Sequence, residues 1–241
     1  MKPIYILLIM GTMFANLATA NSFETDTFKT KSNKDVVITF IKHGSIMISV
    51  EGLYIQLDPV SSFADYSKFP KADFILITHE HGDHLDSKAI ENVSKNDARL
   101  ILNQSSRNII SKGEVMKNGD KQKLTESISI ETVPAYNITK GREKFHPRHR
   151  DNGYVLTIDG LRIYIAGDTE DIPEMKNLKN IDIAFLPVNQ PYTMTIDQAV
   201  NASKMFKPKV FYPYHFGNTD VKQIKKKLVG SGIEVRLRKM E

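Results

Sequence analysis

The sequence predicts an α/β protein built as a four-layer αβ/βα sandwich, two packed sheets inside and helices on their outer faces. Three observations carry this. Two hairpin-like units far apart in the chain share one plan of strand, x-Gly turn, strand and terminal Asp. They are Ser45 to Asp58 and Tyr154 to Asp168, and the second turns on Asp159-Gly160, a strong short-range hairpin signal. Segments of helical period fall between strands. With 241 residues, 41% of them hydrophobic, the chain can bury one large core.

Residues 1–20 stand apart. Lys2 precedes the apolar run Ile4 to Met10, and Ala18-Thr19-Ala20 forms a small-x-small cleavage site, the pattern of a secretory signal peptide. The run is too short and interrupted for a membrane span, so the expectation is a periplasmic or secreted protein with no stable span once the signal is cleaved. There is no cysteine, which excludes lipid attachment at the cleavage site, disulfides and thiolate ligands. Cleavage removes one Lys and no acid, lowering the formal charge from +5 to +4.

Residues 21–34 are polar, Ser/Thr/Lys-rich and without period, which reads as a flexible leader; the ordered domain then covers 35–241. Helical segments are expected around Ser87 to Val93, Ser105 to Ser111, Ile196 to Phe206 and Asp220 to Val229. The third carries Ile196, Ala199, Val200 and Ser203 on one face, suited to covering a sheet. Lys225-Lys226-Lys227 and Arg236-x-Arg238-Lys239 read as solvated faces, and without an aromatic-interleaved basic patch no nucleic-acid partner is expected. No heptad or exposed apolar stripe points to an oligomeric state.

The stretch Ala72-Asp73-Phe74-Ile75-Leu76-Ile77 is an apolar, β-branched run that reads as a buried strand. It delivers Thr78-His79-Glu80-His81-Gly82-Asp83-His84 onto the loop at its end, where a rigid sheet places ligands. In extended chain, side chains two apart share a face, so His79 and His81 can reach one metal together. The Gly82 turn lets Asp83 and His84 point toward a second position. Crowding these imidazoles and carboxylates is electrostatically unfavourable without cations, and two adjacent ions follow.

His-x-His-x-Asp-His after a hydrophobic strand resembles the metallo-β-lactamase superfamily, and the resemblance extends from about Asp35 to Arg238. It implies a bridging Asp at a later strand end, supplied by Asp168 in Ile163-Tyr164-Ile165-Ala166-Gly167-Asp168-Thr169. It also implies a last His after a late strand, supplied by His215 in Phe211-Tyr212-Pro213-Tyr214-His215. Within the superfamily the chain looks closest to the branch with L-ascorbate-6-phosphate lactonase and similar metal-dependent hydrolases. The supporting stretches are His43-Gly44-Ser45, Gly167-Asp168-Thr169, Leu186-Pro187-Val188, and Tyr192-Thr193-Met194-Thr195 before a helix with Ala199 and Ala202.

One departure stands out. Where the family places a third His for the first metal, this chain reads Pro134-Ala135-Tyr136-Asn137, and an amide oxygen is a poor zinc ligand beside imidazole. Three readings of His146 stay open: substitute ligand, substrate contact or plain surface residue. Between Asn137 and Gly153 lies a segment of about 15 residues without strand or helix pattern, the length of a functional or mobile loop. It carries Lys140, Arg142, Lys144, Arg148 and Arg150, and as a lid it would favour an anionic substrate.

The implied protein is a hydrolase in which one or two divalent cations activate water against a small ester, lactone or phosphoester. His79 and His81 hold the first ion, Asp83, His84 and His215 the second, and Asp168 bridges. Asp83 also orients the nucleophile, His43 is a proton shuttle, substrate contact or structural residue, and Tyr192 is a pocket wall. Zn2+ is the default ion, with Mn2+ or Fe2+ compatible with nitrogen and oxygen donors. Two alternatives compete: a non-catalytic binding protein with a degraded first site, and a true β-lactamase.

Overall fold

Strand alternation explains both layers of the sandwich in the computed structural model, which describes residues 23–241. The signal segment expected at residues 1–20 lies outside the described residues. The first sheet holds β1 (Thr25–Lys29), β2 (Asp35–Lys42), β3 (Ser45–Val50), β4 (Leu53–Leu57), β5 (Ala72–Leu76), β6 (Ser94–Leu102) and β7 (Glu114–Val115), in chain order. β1 to β4 form an antiparallel meander, and β4 to β7 run parallel.

The second sheet has the same plan. β8 (Lys121–Lys123), β9 (Ile128–Ala135), β10 (Asp151–Ile158) and β11 (Leu161–Ile165) are antiparallel; β12 (Ile183–Pro187), β13 (Val210–Tyr214) and β14 (Glu234–Val235) continue it in parallel. The echo seen in sequence lies in the β3–β4 and β10–β11 hairpins. Both turn with positive φ at two successive residues, Glu51-Gly52 (48° and 80°) and Asp159-Gly160 (43° and 83°), the primed geometry that matches strand twist.

The helices are α1 (Ser87–Val93), α2 (Gln104–Ile110), α3 (Ile196–Phe206) and α4 (Lys222–Lys227). α1 starts where Asp86 accepts hydrogen bonds from the Lys88 and Ala89 amides, and α3 opens with a Thr195/Gln198 capping box. α4 is shorter than the Asp220 to Val229 expected, since its first residue follows Val221, which offers no side-chain cap.

Alternation explains the double burial of β5. Phe74 and Leu76 face the core between the sheets, whereas Ile75 and Ile77 pack under Ala89, Ile90 and Val93 of α1. A strand covered on both faces reads as a continuous apolar run.

The segment expected to be a flexible leader instead contains β1, paired along its length with β2. Asp26 and Phe28 share a face, and their partners are distant: Arg238 Nη2 lies 2.6 Å from Asp26 Oδ1, and the Arg236 guanidinium sits 5.2 Å from the centre of the Phe28 ring. A strand fixed by contacts more than 200 residues away leaves no local period to read. Among the described residues, no helix is long and apolar enough to cross a membrane.

Candidate metal centre

Parallel strands bring their C-terminal ends to one edge, and the site is built there. Asp58 follows β4, Thr78 to His84 follow β5, Asp168 follows β11 and His215 follows β13. His43 stands on the β2–β3 turn at φ 56°. The two sheets are tied together at this edge, where Tyr154 Oη donates to the Ile77 carbonyl (2.6 Å) and the Asn152 amide to the Thr78 carbonyl (3.1 Å).

Asp168 is the hub. One carboxylate oxygen lies 3.2 Å from His215 Nε2, 3.4 Å from His146 Nε2 and 3.9 Å from His79 Nε2, and the other lies 3.6 Å from His84 Nε2. On one side His79 Nε2 and His81 Nδ1 are 3.1 Å apart, and His146 completes a group of three imidazoles. On the other, Asp83 Oδ2 stands 3.4 Å from His215 Nε2 and 3.9 Å from His84 Nε2.

Three of the rings are turned by a bond on the far nitrogen. Thr78 Oγ1 meets His79 Nδ1 at 2.9 Å, Asp58 Oδ2 meets His84 Nδ1 at 2.8 Å, and Asp151 Oδ2 meets His146 Nδ1 at 3.0 Å. Such partners fix the tautomer and aim the other nitrogen. Asp151 is held in turn by Arg150, whose guanidinium also pairs with Glu80 at 2.9 Å.

The electrostatics call for positive charge. Burial works against protonating His215, yet Asp168 and Asp83 push it up to about 10. Burial would raise the Asp168 carboxyl too, but His215, His84 and His146 hold it well below the usual carboxylate range. Burial and the neighbouring His84 keep His79 neutral, well below the ordinary imidazole range, and burial and His146 lower His81. Among these histidines and carboxylates, four buried atoms have no hydrogen-bond partner: His84 Nε2, both ring nitrogens of His215 and Asp168 Oδ1. Orphaned buried donors and acceptors are rare, and all but His215 Nδ1 are among the atoms facing one another across this cluster. The donor set fits divalent cations.

Asn137 does not join it. Its side-chain amide donates to the carbonyls of Tyr192 (2.7 Å) and Arg142 (3.2 Å), and its backbone N–H donates to the His146 carbonyl (2.8 Å). It therefore shapes the loop from which His146 reaches His79 and His81. Tyr192 is 45% exposed on the rim, its ring 5.0 Å from that of Phe145, and His149 is exposed. The basic loop is largely neutralised: Arg142 pairs with Glu170, Arg148 with Glu174 and Arg150 with Glu80 and Asp151.

Sequence reading missed Asp58 and Asp151 as supports. Asp58 had a signal, since it holds in the first hairpin the place of Asp168 in the second. Asp151 had none, because its link to His146 exists only once the loop folds back.

Residues 37–215 match the model of a family described as the Beta-lactamase superfamily domain. A "UPF0173 metal-dependent hydrolase" of Archaeoglobus fulgidus is 32% identical over 181 residues, covering 69% of this chain and 78% of that protein. The crystal structure of a candidate metal-dependent hydrolase from Parabacteroides distasonis is 62% identical and superposes with a TM-score of 0.90 over 91% of this chain and all of that one. Igni18, a metallo hydrolase from Ignicoccus hospitalis, is 27% identical with a TM-score of 0.72, covering 85% of this chain and 95% of its own.

Proposed function

The chain belongs to the metallo-β-lactamase superfamily and to its metal-dependent hydrolases, and from that premise we propose that it hydrolyses a small ester, lactone or phosphoester outside the cytoplasm. The observation that carries the reading is the convergence of two donor sets on Asp168, with orphaned buried atoms between them. His79, His81 and His146 would hold one cation, Asp83, His84 and His215 the other, and Asp168 would bridge. Zn2+ is the first expectation, with Mn2+ or Fe2+ compatible with the donors. Bound there, such ions lower the pKa of a water toward neutrality and polarise the scissile oxygen.

The residues divide the remaining work. Asp83 is the cluster's solvent-facing carboxylate, its side chain 45% exposed, so it can orient an attacking water. Asp58, Thr78 and Asp151 hold three ligand rings by their far nitrogens, so the donors are in place before substrate arrives. Tyr192 and Phe145 offer an apolar wall at the rim. With three of the loop's arginines already paired, the wall argues for a substrate bound through apolar surface as well as any charge. The likeness of His43-Gly44-Ser45 and Gly167-Asp168-Thr169 to the lactonase branch supports a lactone among the candidates. Lys2, the apolar run and Ala18-Thr19-Ala20 support export.

The alternative of a degraded first site rests on Asn137, and the grouping of His146 with His79 and His81 argues against it. Metal content of the purified protein, with turnover of lactones, phosphodiesters and cephalosporins, tests the reading. Bound metal with hydrolysis of a lactone or phosphodiester is expected. A protein that binds no divalent ion overturns it, and cephalosporins as the sole substrates would favour the β-lactamase alternative.

A further inference from the structure

We propose that His43 is a further protein ligand of the second cation, joining Asp83, His84, His215 and the bridging Asp168, which closes that position and leaves the three-imidazole position as the one open to water and substrate. This rests on the metal-dependent reading above. Donors held about 2.0–2.1 Å from one five-coordinate ion stand about 2.9–3.6 Å apart. His43 Nε2 lies 3.1 Å from Asp83 Oδ2, and His215 Nε2 lies 3.4 Å from the same oxygen. One nitrogen or oxygen each from His43, Asp83, His84 and His215 fall within 4.8 Å of one another.

The backbone is arranged to bring His43 there. A non-glycine residue at φ 56° is uncommon, and strained backbone persists where the surroundings over-determine it. Here the His43 N–H donates to the Met240 carbonyl (2.9 Å), and the His43 carbonyl accepts from the His215 N–H (3.0 Å). This strap sets the two rings with centroids 3.7 Å apart. The next residue must be glycine, because a Cβ at Gly44 would stand 2.7 Å from His84 Cε1. The chain at residues 43–44 is thus pressed against two of the second ion's ligands.

A hydrogen bond from His43 to Asp83 would explain the 3.1 Å distance alone, and the two roles separate by experiment. His43→Gln keeps an N–H that can donate to Asp83 but removes the ligating nitrogen. His43→Asn, a residue tolerant of positive φ, is the second variant should glutamine impair folding. Apo protein is titrated with Zn2+ against a competing chelator, and separately with Co2+ while its visible absorption is recorded. The parent should bind two equivalents in two steps. In both variants the tighter step should weaken by at least about tenfold, beyond the low end of what losing a mere ligand partner does, and the Co2+ spectrum of that step should change. The weaker step should hold. A loss under tenfold, or an unchanged spectrum, overturns the proposal and leaves His43 as a hydrogen-bond partner. A parent that binds no ion overturns the functional reading itself, a failure visible before any variant is made.

Discussion

Asp58 and His84 form a wholly buried pair, Oδ2 to Nδ1 at 2.8 Å, and the same carboxylate accepts from the Thr78 N–H and hydroxyl at 2.8 and 2.7 Å. One side chain therefore sets both the start of the ligand loop and the tautomer of a ligand. Asp58→Asn should lower affinity at the Asp83, His84, His215 position by about 10–100-fold, read by chelator competition. Affinity unchanged in a variant with parental thermal unfolding would contradict this role.

Asp83→Ala and His84→Ala should each reduce metal content and lower hydrolysis by about 100-fold or more, the equivalent of about 3 kcal/mol of lost transition-state stabilisation. Far-UV circular dichroism should stay parental, because both residues sit on a loop outside the core clusters. Full activity in Asp83→Ala with metal still bound would sink the assignment.

His146→Ala should leave His79 and His81 without their third imidazole and reduce binding from two equivalents to one. With His146 as the proposed third ligand, Asn137→His should not raise occupancy, and it removes the Asn137 side-chain N–H groups that donate to Tyr192 and Arg142. Losing those bonds should cost about 1–3 kcal/mol, measured by urea denaturation. Stronger metal binding in Asn137→His would count against His146 as the ligand.

Burial would raise the Asp26 carboxyl, but Arg238, Tyr212 and Arg236 hold it below its ordinary value. A depressed carboxyl contributes stability that is complete above its unfolded pKa, about 3.9, and is lost as pH falls through the folded value. Asp26→Asn should therefore lower stability near neutral pH by about 1–3 kcal/mol, with the difference from the parent shrinking below about pH 4. A difference that persists undiminished in acid would show the charge is not responsible.

Export predicts a mature N-terminus at Asn21, which N-terminal sequencing of periplasmic or secreted material decides; intact Met1 on cytoplasmic protein would rule it out. A chain starting at Asn21 keeps β1, whereas one starting at Asp35 loses it with the Asp26 contacts. The shorter form should melt several degrees lower.

Legibility followed locality. His79, His81, Asp83 and His84 fall within six residues, and their spacing alone separates two ion positions. Asp168 and His215 were legible only through the family resemblance, which implies an Asp and a His after late strands and so picked them out. His146 was not assignable, since a ligand in mid-loop lacks a strand to announce it and Asn137 held the expected place. β1 was read as leader because Asp26 and Phe28 find their partners at Arg236 and Arg238. Of the helices, α3 with its capping box was read to the residue, while the uncapped α4 was overdrawn at both ends.

Neither sheet holds a complete set of donors. His79 and His81 extend from the first and need His146 from the second; Asp83 and His84 need His215. Ion uptake must therefore wait until the two halves have docked, so loading is among the last events of maturation. A chain that crosses a membrane unfolded would acquire its ions only at its destination. With nitrogen and oxygen donors selecting weakly among divalent ions, the element found in the native enzyme would then reflect what that compartment supplies.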